Sequence, residues 1–345
     1  MIILIYADLH LYNHHRLLVN SETALNNLTY FKNYALSNNI NTIICAGDFF
    51  HTKARAYAPH VIQARLRLKD WFKAGLNHYM IIGNHDMANQ NNSMNSIVFA
   101  FNEYAKIIPD YFFIDIGQTR LHLMSYTKSL FPHFIMAKNR KNVLITHLDI
   151  VGFTMSNGFR AANGFKMSDL ADFDLVITGH YHKHQEKDNI VYIGSTHQTS
   201  FAERDQTHGF LVFDTDTLKY QFIENTDAPK YKELLIKKYE EIKDDDVYNN
   251  FLRIKLLTNR ISSSRLKDLL FEKGALSVDI TPFEDAKEIS KYYDKKLSDI
   301  PIEIAAAYIK SLKRLPCSEQ KLLAYFNKIE EVATRISDIE FDDIN

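Results

Sequence analysis

The 345-residue chain has only two cysteines, Cys45 and Cys317, far apart in sequence. The first lies in an apolar run, TIICAG, which argues for a buried free thiol rather than a disulfide and for a reducing, cytoplasm-like compartment. An excess of one charge is lacking too: 41 Lys plus Arg against 42 Asp plus Glu leave a formal charge of −1. That balance excludes a strongly basic chain that binds nucleic acid by charge alone. Any DNA contact then falls to a local patch or to a partner. No stretch approaches the ~20 apolar residues of a membrane span. The opening MIILIYADLH has an apolar run of only about six residues, no basic region before it and an acid directly after, so it reads as a core strand and not a signal peptide. There is no internal repeat and no low-complexity segment.

What is present is an ordinary globular composition, 46% hydrophobic and 24% charged, which excludes a disordered or fibrous chain. The length exceeds the size at which one core keeps growing, so one large domain with smaller attachments is expected. Short runs rich in Ile, Val and Leu recur at 2–7, 42–46, 78–82, 142–146 and 174–178, each the length of a buried strand. Between the early runs lie helical patterns. Residues 22–37 place Leu25, Leu28, Phe31, Ala35 and Leu36 on one face, with Ser21 as N-cap. A second helix is expected to start near Pro59 and end at Gly75, and a third to cover about 93–106. Strand, helix, strand, helix, strand implies an α/β sheet of parallel character.

From about residue 190 the texture changes. IVYIGS, GFLVFDTD and KYQFIEN predict strands closing a second sheet, with turns at Asp188-Asn189 and Asp214–Thr217. After Asp227-Ala228-Pro229, the runs 252–258 and 276–283 flank a helix at 263–272, a compact β-α-β unit. Residues 284–300 form a charged link. Two amphipathic helices follow, about 301–314 (Ile302, Ile304, Ala305, Tyr308, Ile309, Leu312) and 318–337 (Leu322, Leu323, Phe326, Ile329, Val332, Ile336), broken at Pro316.

Each of the five N-terminal apolar runs is followed directly by metal-ligand residue types. The first gives Asp8-Leu9-His10 and the second Gly47-Asp48. The third gives Gly83-Asn84-His85-Asp86, the fourth His147, and the fifth Gly179-His180-Tyr181-His182. In an open α/β sheet the carboxyl ends of the strands form one rim where ligand sites collect. Asp8, His10, Asp48, Asn84, His147, His180 and His182 would converge there. On an extended strand end i and i+2 face the same way, so Asp8 and His10 would grip one ion, as would His180 and His182. The glycines before Asp48, Asn84 and His180 suit tight turns with close backbone approach. Carboxylate, amide oxygen and imidazole without thiolate point to manganese, iron or zinc. Seven ligands suit two ions sharing a bridging carboxylate; such pairs activate a water and clamp a phosphate in line. One DxH or one GNH alone is a weak signal, most often a strand-to-turn junction. Five in order, each after a strand, are very hard to obtain by chance.

The ordered set ADLH, GDFF, GNHD, THLD and GHYH resembles the signature of the calcineurin-like metallophosphoesterases over residues 8–182. Within them the chain looks like the SbcD-type nucleases, the meiotic-recombination-eleven branch, in bacteriophage or bacterial versions. GDFFHTKA, the strand pair YIGSTHQTSF and HGFLVFD, and the layout of the C-terminal third carry that narrower resemblance. It implies a two-sheet α/β sandwich metallophosphoesterase domain at 1–226, a small α+β capping domain at 227–288 that meets DNA, and a linker with ATPase-binding helices at 289–345. One ion would be held by Asp8, His10, Asp48 and His182, the other by Asp48, Asn84, His147 and His180. His85 matches a family residue that acts on the phosphate or leaving oxygen, and His51 one near the metals and the scissile phosphate. Asp86 would orient the His85 ring or cap a helix. The ions would be Mn2+, with Mg2+, Fe2+ and Zn2+ as alternatives.

The resemblance further implies a DNA exonuclease and single-strand endonuclease, an SbcC-type coiled-coil ABC ATPase as partner, and a homodimer within a two-plus-two complex. The cytoplasm would be the location, the host's if phage-encoded. Val61, Ile62 and Leu66 are candidates for the dimer surface, or equally for the monomer core. Lys53, Arg55, Arg65, Arg67, Lys69 and 138–141 are candidates for phosphate contact, as is His197 for DNA, with His184 and His208 as surface or sheet-edge residues. Rival readings are a phosphatase or small-molecule phosphodiesterase of the same superfamily, and a non-catalytic scaffold.

Overall fold

The computed structural model describes residues 1–11, 18–52, 57–88, 93–128, 132–155, 158–258 and 260–282. The chain divides into two units, Met1–Lys255 with Ile261–Thr281, and Leu256–Arg260 with Pro282–Asn345. The first carries the sheets and the motif residues. The helices expected at 301–314 and 318–337, and the link before them, lie outside the described residues.

Strands β1 (Ile2–Tyr6), β2 (Thr42–Ala46), β3 (Asn77–Ile81) and β4 (Lys106–Ile108) lie side by side and parallel. The next six build a second sheet: β5 (Tyr111–Ile116), β6 (Thr119–Met124), β7 (Lys141–His147), β8 (Leu175–Gly179), β9 (Gln185–Lys187) and β10 (Ile190–Tyr192), in the order β5-β6-β7-β8-β10-β9. The chain then returns to the first sheet, where β11 (Gly209–Asp214) pairs antiparallel with β1 and β12 (Tyr220–Glu224) antiparallel with β11. The expectation that all strands from 190 onward close a second sheet therefore holds only for β10. The other two extend the first.

The apolar runs are continuous because both faces of these strands are buried. Along β1, Ile3 and Ile5 join Ile44 and Ile81 against Leu121, Val143, Ile145 and Ile177 in the core between the sheets. Leu4 and Tyr6 point the other way, into a core with Leu25, Leu28, Phe31, Leu68 and Trp71. Those last five come from helices α1 (Leu18–Ser37) and α2 (Ala58–Lys73), which cover the outer face of the first sheet. Each such side chain contributes ~1.5–3 kcal/mol of burial. The Trp71 indole Nε1–H donates to the Leu28 carbonyl at 3.1 Å, fixing one helix against the other. The second sheet's outer face packs Leu144, Val176 and Tyr192 under Phe153 and Leu170.

Three local expectations change. Helix α1 begins three residues before Ser21, so Ser21 is a buried interior residue and not the N-cap. The helix expected at 93–106 shrinks to a 3-10 turn, Ile97–Phe101, capped by the Ser96 side chain. The preceding residues are used otherwise: Met87 bridges to Ser96 and Ala88 N–H donates to Asn95, closing the loop that follows Asn84. Pro59 does sit in the first turn of α2, and the helix Ser263–Glu272 lies between β14 (Phe251–Leu256) and β15 (Ser277–Thr281), which pair parallel. An unanticipated strand, β13 (Tyr231–Ile236), completes that three-stranded sheet. Cys45 is a buried free thiol. Among the described residues no helix is long and apolar enough to cross a membrane.

Candidate metal centre

The motif residues converge, but from the ends of two facing sheets rather than from one rim. Asp8 and His10 follow β1, Asp48 follows β2 and Asn84 follows β3; His147 ends β7, and His180 and His182 follow β8. Beyond the strand ends the first two loops stay zipped, with Asp8 N–H donating to the Gly47 carbonyl at 3.0 Å and His10 N–H to the Asp48 carbonyl at 3.1 Å. Asp8, His10, Asp48 and His180 all have φ in the left-handed region, at 52°, 47°, 52° and 99°. Such strain in non-glycine residues costs about 1–3 kcal/mol each and persists only where the surroundings over-determine it. It also breaks the extended alternation assumed for the two DxH-like pairs. Asp8 and His10 still meet, Nε2 to Oδ1 at 3.9 Å. His180 and His182 do not grip one spot: His180 joins Asp48 and His147, and His182 joins Asp8 and His10.

Gly83 illustrates the close approach. A Cβ there would collide with the Asp48 amide and carboxylate, so the GNHD turn needs its glycine.

Hydrogen-bond partners fix how each imidazole is turned. His147 Nδ1–H donates to the Ala46 carbonyl at 2.9 Å, which leaves Nε2 facing Asn84 Oδ1 at 3.1 Å and Asp48 Oδ2 at 3.2 Å. His180 Nε2 lies 2.6 Å from Asp149 Oδ1, and its Nδ1 lies 2.9 Å from the same Asn84 oxygen. Asp48 Oδ2, Asn84 Oδ1, His147 Nε2 and His180 Nδ1 are thus four atoms of metal-ligating type brought together at one spot. On the other side His182 Nδ1 is 2.7 Å from Glu203 Oε1, which turns its Nε2 toward His10 Nε2 at 2.9 Å. His10 Nδ1 is buried without a partner. Converging acceptors of this kind are costly unless a cation or a proton joins them, and carboxylate, amide and imidazole suit divalent cations.

The electrostatics show the same tension. Burial and then His182 hold the His10 imidazole well below its usual range. Burial pushes the Asp8 carboxyl up, against the pull of His147 and His182. Burial also works against a charged Asp48 and a charged His147. Their mutual attraction wins, holding the Asp48 carboxyl down and pushing the His147 imidazole up to about 10.

His10, His51 and His85 form a third group of clustered nitrogens. The His85 amide donates to Asp48 Oδ1 at 2.7 Å, and its ring Nδ1–H donates to the His51 carbonyl at 2.6 Å. That carbonyl, not Asp86, orients the ring. Asp86 instead accepts from the Phe50 amide at 2.8 Å and the Gly83 amide at 2.9 Å, joining the two loops. Burial, then His85 and His182, lowers the half-buried His51 imidazole to about 4.

The remaining candidates lie apart from this cluster or are otherwise engaged. His197 and His208 are buried rather than surface residues, so His197 is not placed to touch DNA; its Nδ1 accepts from Thr196 and Asn27. His184 stacks on Phe222. Arg65 is committed to the Ala100 carbonyl and Glu103, Arg67 to Gln63, and Lys141 to Asp174. Lys53 and Arg55 lie outside the described residues. Sequence reasoning missed Asp149 and Glu203, the carboxylates behind His180 and His182. Asp149 was visible, two residues after His147 in THLD. Nothing marked Glu203.

A sandwich of two sheets with a histidine and carboxylate cluster at their common end defines the class, a metal-site phosphoesterase. Residues 1–184 match the family described as calcineurin-like phosphoesterase, and the chain belongs to it. The chain is 24% identical over 201 residues to exonuclease subunit 1 of Enterobacteria phage T4, covering 56% of this chain and 58% of that protein. It is 28% identical over 177 residues to the SbcD component of the nuclease SbcCD of Staphylococcus epidermidis, covering 47% of each. The chain thus spans about half the length of the curated relatives it matches. Among solved structures it is similar to a dimetal phosphatase from Danio rerio (10% identity, TM-score 0.39, 61% of this chain and 91% of that one). It is also similar to Pseudomonas putida nuclease MPE (19%, TM-score 0.27, 46% and 66%).

Proposed function

We propose that the chain is a metal-dependent phosphodiester hydrolase acting on DNA, with two divalent ions, manganese foremost. The observation behind the metal centre is the set of four ligand-type atoms from Asp48, Asn84, His147 and His180 that meet at one spot. These four would hold one ion, and Asp8, His10 and His182 the other, with Asp48 shared. Bound there, divalent cations supply Lewis acidity toward the phosphate and lower the pKa of a water.

The chain's own groups do the rest. Asp48 holds the His85 amide through one oxygen and leaves the other for the centre. With Nδ1–H taken by the His51 carbonyl, the His85 ring presents Nε2 to the leaving oxygen and would give it a proton from there as the P–O bond breaks. The His51 ring, kept neutral, adds a polar but uncharged wall near the phosphate.

Similarity to a phage exonuclease component and to the SbcD component of a nuclease supports DNA as the substrate and an SbcC-type ATPase as the partner of 301–337. Ile62 and Leu66 of α2 are exposed, which removes core burial as their explanation and suits a homodimer surface. The test offers purified protein and manganese end-labelled duplex and single-stranded DNA, beside p-nitrophenyl and bis-p-nitrophenyl phosphate. Cleavage of DNA and of the diester is expected, abolished by chelation. Turnover of the monoester alone would make it a phosphatase, and no turnover at all a scaffold.

A further inference from the structure

The two histidines of the 180–182 pair are held from behind in opposite ways. For His180 the outer nitrogen is Nε2, 2.6 Å from Asp149 Oδ1, and Nδ1 faces the centre. For His182 the outer nitrogen is Nδ1, 2.7 Å from Glu203 Oε1, and Nε2 faces the centre. Each carboxylate is itself fixed. Tyr126 O–H donates to Asp149 Oδ2 at 3.0 Å, and the Tyr126 amide donates to the Ile82 carbonyl at 2.8 Å, tying Asp149 to the end of β3. Glu203 accepts from the Thr199 amide at 2.7 Å and from the Thr199 hydroxyl. It is 1% exposed, and among the described residues no Lys or Arg pairs with it; its ion-pair partner is His182. A buried carboxylate without a Lys or Arg partner is costly unless its acceptor capacity is used. Here it is used on the outer N–H of one imidazole and on Thr199.

We propose that Asp149 and Glu203 are positioning residues, each fixing one imidazole of the pair in its ligating tautomer, Asp149 serving the Asp48/Asn84/His147/His180 ion and Glu203 the Asp8/His10/His182 ion. The inference rests on the two-ion reading above. A carboxylate behind a metal-ligating imidazole sets the ring's orientation and raises its basicity, and its loss costs about 10–100-fold in metal affinity. Because the two act on different rings, their losses separate. The same arrangement explains how a motif of two histidines one residue apart serves two ions: the backbone turn at His180 sends the rings apart, and each meets its own carboxylate.

The experiment is calorimetric titration of the metal-free full-length chain with Mn2+. Wild type should show two binding events. Glu203→Gln should weaken one by about 10–100-fold and Asp149→Asn the other by a similar factor. In an Asn84→Ala background, which leaves the Asp8/His10/His182 group, the Glu203→Gln effect should persist and the Asp149→Asn effect vanish. Variants that titrate like wild type, or that weaken both events alike, overturn the proposal. A second readout needs no variant: long-range 1H–15N spectra of the metal-free wild type should place the ring proton of His180 on Nε2 and that of His182 on Nδ1. The reverse assignment overturns it too. A wild type that binds no ion sinks the two-ion reading and this inference with it; a wild type that binds two beside unaffected variants sinks this inference alone.

Discussion

The two halves of the centre are built by different means. On the first-sheet side, Asp8, His10, Asp48 and Asn84 are placed by backbone: zipped loops, left-handed residues and a glycine pressed against a carboxylate. On the second-sheet side, each histidine is placed by a partner on its far nitrogen, a carbonyl for His147 and carboxylates for His180 and His182. Short oxygen ligands have little freedom beyond the backbone that carries them. The three second-sheet imidazoles are also turned about their rings by that partner, whereas His10, the one imidazole of the first-sheet set, has no partner on Nδ1.

The largest expected effect breaks the first-sheet half. Asp48→Ala removes the group that faces His147 and also holds the His85 amide, so cleavage should fall to background while far-UV circular dichroism stays that of wild type. Manganese-dependent cleavage clearly above background would contradict the shared role of Asp48.

His85→Gln tests a residue that belongs to neither set of ligands. Rate should fall by about 10²–10⁴ while both ions remain bound. If elemental analysis shows metal lost with activity, His85 is itself a ligand.

Gly83→Ala sharpens the backbone half without touching a ligand. A Cβ there must displace Asp48, and a shift of about 1 Å can cost roughly 10²-fold in rate. Wild-type rate in this variant would show the loop to be far more yielding than its packing implies.

The smallest effect lies outside the centre. Burial lowers the imidazoles of His78 and His197 to about 3 and that of His208 to about 4. Between about pH 6.5 and those values the unfolded chain binds protons that the folded chain does not, so stability falls on acidification. The slope approaches ~1.4 kcal/mol per pH unit per histidine. Urea unfolding at several pH values should show this loss, and His197→Gln should make it shallower; an unchanged slope would mean that His197 does not drive it.

The ligands of both halves were legible in the sequence because they follow apolar runs that the sheets bury on both faces. The runs at 42–46 and 174–178 became β2 and β8 within a residue. That these strands belong to two sheets was not legible, since a run buried on both faces reads alike in either. The strands β5 and β6 went unseen. Their Tyr-Phe-Phe stretch is only half buried at a sheet edge, and Gly117 alone marks the turn between them. Asp149 and Glu203 were invisible as a pair for a related reason. A carboxylate that positions a ring is chosen by the fold, and Glu203 reaches His182 from a 3-10 turn that no motif marks.

The central claim is that two sheets bring two sets of ligands to one pair of ions. Anomalous diffraction at the manganese edge from crystals of the full chain tests it most directly. Two peaks are predicted, one among Asp8, His10 and His182 and one among Asn84, His147 and His180, with Asp48 reaching both. A single peak, or a peak held by His10, His51 and His85 instead, would contradict it.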